Sequence, residues 1–276
     1  MKRPNTRVQR TRSSASPPRS PLTRNPLGAI GKVTAVRWLL VGAAFLGSLV
    51  VTAGESGATD QVDSANQTAE HILLRVAEVY SQCRSYRDSG IVTTVFSGKV
   101  PHTVEKQFRT AFLRPDRFRF EYCDKREPTD RFVIWGQGDT VHTWWGIDPG
   151  VKDSRSVACA LAAATGVSSG SARRIPGLLL AEQIEAGWEI RRLRNLKRLS
   201  DSKLREAECF LVQGETGMQR RDPVTLWIAK ATFLIRRIDQ STTFDDFSAQ
   251  ETTTYEPRIN TDIPLNLLDF GMPPSE

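Results

Sequence analysis

Few residues of this chain are spaced for bond-making chemistry. The histidines, His71, His102 and His142, lie on different segments, with no cysteine or carboxylate at metal-ligand spacing. Asp245 and Asp246 are adjacent in "TTFDDFSAQ", and paired carboxylates can divide acid and base roles. Adjacent strand positions point to opposite faces, however, so the pair reads as a solvated loop. No nucleophile elbow, phosphate loop or dinucleotide fingerprint is present, so no catalytic residue, metal or cofactor is expected. Cys83, Cys123, Cys159 and Cys209 form an even set that allows two disulfides in an oxidising compartment. Cys83 and Cys159, on apolar helix faces, also fit buried thiols.

The chemistry that stands out is recognition. In "FLRPDRFRFEY" (112–122), Phe118, Phe120 and Tyr122 share one face of an extended strand, and Arg117, Arg119 and Glu121 share the other. Phe108, Phe112 and Arg114 have the parity of the aromatics. An oily face bearing one arginine predicts an apolar binding wall with a charge that must be bonded to something.

The elements that hold this wall can be read from periodicity. "QTAEHILLRVAEVYSQCRSY" places Ile72, Leu73, Val76, Val79, Tyr80 and Cys83 on one helical stripe. After Gly90 the period changes to two. Strands are predicted at 91–96, 104–113, 117–123, 131–135 and 140–145, and then at 188–193, 208–212, 225–228, 233–238 and 251–255. Between the two groups, 153–165 is alanine-rich and helical, "GVSSGSARR" breaks it, and "IPGLLLAEQIEA" resumes it. The basic run 191–206 reads as a solvated hairpin or as a contact for anionic head groups. One up-and-down sheet of about ten strands must curl to protect its edges. Its aromatic face needs a helical cover, and a gap between sheet and cover is an apolar cavity for a greasy ligand.

Charge separates the chain into a leader and a body. The formal charge is +7, yet residues 1–58 hold nine Lys/Arg against one acidic residue, and 59–276 hold 29 against 30. The body therefore lacks the footprint of a nucleic-acid binder. Residues 1–31, with five prolines and no acid, read as disordered. Residues 32–58 read as a signal peptide: Lys32 and Arg37 precede the apolar run 38–53, and small residues follow. The alternative is an uncleaved anchor in the inner membrane formed by 38–53.

Several motifs carry a family resemblance: "FLRPDRFRFEY", "GQGDTVHTWW", "VTLWIAKATFLIRRI" and the ending "NTDIPLNLLDFGMPP". Together they make residues 67–276 resemble the periplasmic lipoprotein-carrier (LolA-like) family and its relatives of uncharacterised function. The resemblance implies an α+β fold, an unclosed antiparallel β-barrel of about ten to eleven strands. An N-terminal helix and inserted lid helices (153–187) would cover it. It implies periplasmic shielding of the acyl chains of a lipid or lipoprotein, with an inner-membrane donor and an outer-membrane acceptor as partners. Phe108, Phe112, Arg114, Phe118, Phe120 and Tyr122 become the ligand-binding set. Arg114 matches the family arginine that bonds to lid backbone in the closed state, and Phe118 matches a cavity aromatic. The chain departs from the family in its longer 153–187 segment and in Ala229, where relatives carry an acid. An envelope-stress sensor on the same fold is the alternative function, and a secreted hydrolase the least favoured.

Overall fold

A computed structural model describes residues 67–184, 189–216 and 221–271, so the expected leader, signal peptide and anchor lie outside the described residues. Among those described, no helix is long and apolar enough to cross a membrane.

The chain opens with helix α1 (Ala69–Gln82). Thr68 caps it, its side chain accepting a hydrogen bond from the His71 N–H, and Glu70 sits in the first turn, where the helix dipole favours an acid. Ile72, Val76 and Tyr80 are fully buried along its predicted stripe.

Six strands follow: β1 (Ser85–Gly98), β2 (His102–Leu113), β3 (Arg117–Asp124), β4 (Arg131–Gln137), β5 (Thr140–Trp145) and β6 (Asp148–Ser154). Then come helices α2 (Val157–Thr165) and α3 (Ser171–Leu179). The strands β7 (Arg194–Leu204), β8 (Ala207–Thr216), β9 (Asp222–Ala229), β10 (Ile235–Thr243), β11 (Phe247–Tyr255) and the short β12 (Arg258–Ile259) complete the sheet.

The strand order is β6-β5-β4-β3-β2-β1-β11-β10-β9-β8-β7, with β12 on β1. Two antiparallel meanders are therefore joined through β1 and β11, and the free edges are β6 and β7. The segment carrying α2 and α3 connects one free edge to the other. The predicted unclosed antiparallel α+β fold is observed, with twelve strands among the described residues, one or two more than expected.

The differences have local causes. β1 runs straight through Gly90 and does not begin after it, because the Phe108 ring needs that space: a Cβ at Gly90 would lie 2.1 Å from Phe108 Cζ. β6 was hidden by Pro149 and Gly150, which a sheet tolerates at its edge; the helix expected from 153 accordingly begins at Val157. The strand expected at 188–193 is instead a short 3-10 turn, Glu189–Arg192, and the basic run after it is strand β7. β7 is an edge, where charged side chains discourage further pairing. Asp245 and Asp246 lie exposed in the bend between β10 and β11, as read. All four cysteines are free thiols spread over separate elements, so the disulfides that the even count allows are not formed; Cys83 is a buried thiol, as its helix face suggested, whereas Cys159 is exposed.

Candidate functional site

The β2–β3 hairpin decides what the aromatics face. Phe112 pairs with Phe118, Thr110 with Phe120, and Phe108 with Tyr122, so even-numbered residues of both strands share one face. That face lies under the helices. Phe112 and Phe120 are fully buried, Tyr122 is 1% exposed, and Phe108 and Phe118 are each 3% exposed. Phe108 meets the edge of Tyr255 at 5.4 Å and stacks with Phe120 at 6.4 Å. Tyr122 stacks on Phe132 at 5.8 Å, and Phe132 meets Trp145 edge-on at 5.9 Å.

The apolar cavity expected between sheet and helices is filled in this conformation. Ile72 and Val76 of α1, Leu161 of α2, and Ile175, Leu178 and Leu179 of α3 belong to the same core as the five aromatics, each at most 2% exposed. Such low exposure leaves no water-sized void beside them. Dispersion and area burial favour this packed state over an empty hollow.

Arg114 sits in the turn after β2 and points back under the helices. Its Nε donates to the Cys83 carbonyl at 2.9 Å, and Nη2 donates to the Tyr80 carbonyl at 3.1 Å and to the Leu179 carbonyl at 3.4 Å. These acceptors lie at the C-terminal ends of α1 and α3, where carbonyls lack intrahelical partners and a cation suits the helix dipole. The guanidinium also lies 5.0 Å from the Phe112 ring centroid. One side chain thus ties α1, α3 and the sheet together.

Arg114 is not the only charge on this face. Arg174 of α3 is 3% exposed and reaches across to the other meander. It donates to Thr253 Oγ1 at 2.6 Å, Gln240 Oε1 at 2.8 Å and Glu251 Oε1 at 2.5 Å. Asp88, 8% exposed, accepts from the Tyr86 hydroxyl at 2.7 Å. Burial raises the Asp88 carboxyl to about 6, despite the hydrogen bond from the Tyr86 hydroxyl, which acts the other way. Burial likewise pushes the hydroxyls of Tyr80, Tyr86 and Tyr255 well above their ordinary range, with Asp88 adding to each. Sequence reading missed this group because Asp88 precedes Gly90, where no strand was expected. Its one usable signal was Arg174, a basic residue inside the apolar run "ARRIPGLLL".

The link between α2 and α3, residues 166–170, runs beside a groove of ≈ 310 Å³ lined by Thr94, Arg174, Gln240, Ala249 and Glu251 among others. Ser169 and Gly170 adopt left-handed backbone there, with φ 49° and 74°. Helices α2 and α3 have nine residues each, too short to persist without packing against the sheet. Among the described residues, no group of three or more His, Cys, Asp or Glu is placed to hold a metal ion.

No family model matches the chain, and no curated protein matches it either. Solved structures similar to it include the lipoprotein LppX of Mycobacterium tuberculosis, at 11% identity and TM-score 0.39 over 72% of this chain and 98% of that one. The MucA/MucB complex of Pseudomonas aeruginosa is another, at 11% identity and TM-score 0.41 over 74% of this chain and 61% of that one. A LolA-superfamily protein of Nitrosomonas europaea is similar at 10% identity and TM-score 0.31, over 74% of this chain and 98% of that one.

Proposed function

We propose that this chain is a periplasmic binding protein that shields the acyl chains of a lipid or lipoprotein on their way to the outer membrane. The observation that carries the reading is a continuous aromatic wall covered by a two-helix lid, which two arginines clasp to the sheet. Phe108, Phe112, Phe118, Phe120 and Tyr122 form the wall. Arg114 clasps the end of α3, and Arg174 clasps its start.

In the conformation described, side chains of α2 and α3 occupy the wall. An acyl chain takes their place when α2 and α3 swing about the 166–170 linker, exchanging one apolar contact for another. The exchange costs little net area burial, so the equilibrium is set by the polar clasps. The chain entering at the linker groove meets Arg174 and Glu251 first.

The test is binding of a fluorescent fatty acid by the purified chain, together with lipid mass spectrometry on the protein taken from its native envelope. Saturable binding at micromolar probe, displaced by unlabelled acyl chains, is expected. Absence of probe binding and of any copurified lipid would sink the reading.

A further inference from the structure

The other face of β1, β2 and β3 holds a groove of ≈ 410 Å³, lined by Arg87, Arg109, Arg119, Arg131, Arg258 and Glu121 among others. Strand register builds it. Arg258 of β12 stands directly opposite Arg87 of β1. Arg87 is opposite Ala111 of β2, which is opposite Arg119 of β3, so one small side chain separates two arginines. Arg109 is opposite Glu121 on the neighbouring row.

The charges in this groove are not balanced. Glu121 takes Arg119 at 2.7 Å and Arg131 at 2.6 Å, with Arg109 at 3.7 Å. Glu256, which also borders the groove, pairs with Arg205 at 3.5 Å. Asp88 also borders the groove; its Oδ2 accepts from the Tyr86 hydroxyl, its Oδ1 has no partner, and its single charge does not offset the arginines. The guanidinia of Arg87 and Arg258 have no hydrogen-bond or ion-pair partner among the described residues, and Arg87 Nε is buried. Like charges directly opposite on paired strands repel, and a buried donor left unmade is costly. Such an arrangement is stabilised by an anion that is not part of the chain.

We propose that this groove binds a phosphate-type oxyanion. Guanidinium forks match the oxygens of a phosphate in bidentate geometry, and several converging arginines favour a dianion over a single carboxylate. The volume lies within the range of small-ligand sites, roughly 300–1,000 Å³. Arg87 and Arg258 supply the unspent donors, and Arg109 closes the opposite wall. The same chemistry is offered by free phosphate and by the phosphomonoester head group of a lipid. The site does not depend on the acyl-chain reading, because it lies on the opposite face of the sheet.

The experiment uses the full chain. Inorganic phosphate is titrated calorimetrically against sodium chloride at matched ionic strength, and flotation is measured on phosphatidylcholine vesicles with and without phosphatidic acid. Saturable phosphate binding that chloride does not mimic supports a soluble ligand, and flotation that requires phosphatidic acid supports a head group. The double variant Arg87→Gln/Arg258→Gln should weaken whichever is seen by roughly tenfold or more. Its thermal midpoint should hold or rise, since the repelling pair is gone. Arg109→Gln, whose side chain is 74% exposed, supplies the same readout should the double variant fail to fold. Absence of both phosphate binding and phosphatidic-acid dependence, or binding unchanged in these variants, overturns the proposal.

Discussion

Along β3, Phe118, Phe120 and Tyr122 lie beneath the helices at no more than 3% exposure. Arg117, Arg119 and Glu121 alternate with them and form ion pairs on the opposite side. The same contrast runs through the neighbouring strands. On the helix-covered face, rings meet rings, and the polar groups present are buried. On the other face, the C-terminal strap lies over an arginine field: Arg119 donates to the carbonyls of Asn266 and Asp269, and Phe270 packs against Trp135 and Trp144. The covered face stabilises through area removed from water and tolerates charge only where it clasps an element. The strap-bearing face contributes less to stability per contact, because partly exposed ion pairs are weak.

This contrast can be broken first at Phe118. Phe118→Ala should cost about 3–5 kcal/mol by urea denaturation, since a buried ring leaves a cavity. It should also weaken binding of an acyl-chain probe. A loss under about 1 kcal/mol would show that the covered face is not a tightly packed core.

Asp88 tests the cost of burying charge on that face. Its folded carboxyl titrates at about 6 rather than 3.8, so between those values the folded chain holds a proton that the unfolded chain has released. Stability therefore falls as pH rises from 3.8 to about 6 and stays lower above that window. Asp88→Asn should add on the order of 2–3 kcal/mol near neutral pH and little near pH 4. Thermal midpoints of the two proteins that run parallel across this range would contradict the assignment.

Arg174→Met removes the clasp to the β10–β11 side. A cost of about 2 kcal/mol is expected, less than for a fully buried pair because the Glu251 side chain is 18% exposed. Hydrogen exchange should quicken across 157–184 while the strands keep their protection, and uniform exchange in both would argue against a separate lid. Arg114→Leu should cost about 1–2 kcal/mol through lost carbonyl bonds. Because it loosens the empty closed state, probe affinity should hold or rise while release to acceptor vesicles slows. Unchanged transfer would leave the clasp without a role in release.

The smallest effect is expected on the strap-bearing face. Burial alone would raise the Glu121 carboxyl, but Arg131 and Arg119 outweigh it and hold it below its usual range. Its contribution is present above the ordinary carboxylate pKa and is lost as the pH falls through the depressed one. Glu121→Gln should cost roughly 1 kcal/mol near neutral pH, since Arg131 is 35% exposed. It should also tighten phosphate binding, and a decrease in phosphate affinity would count against the oxyanion groove.

Much of this molecule was legible in its residues. The stripe of α1, the alternation that sends Phe118 and Arg119 to opposite faces, and the breaks at 114–116 and 166–170 are local features. Backbone periodicity and turn chemistry express them within a few residues. The hairpin around Pro115 kept its parity, so the six residues singled out meet beneath the helices. Other features depended on neighbours distant in sequence. Gly90 reads as a strand break until Phe108 is seen lying over it, and Pro149 reads as a stop until β6 proves to be an edge. The join of β1 to β11, the approach of Arg174 to Glu251, and the pairing of Arg87 opposite Arg258 are long-range register choices. Propensity cannot encode them, because their free energy comes from side chains that meet only once the sheet has formed. The sequence alone therefore determined which residues are oily, which are charged and how they alternate. Only the tertiary structure decided that the oily face packs beneath the helices and that the charged face gathers more arginines than acids.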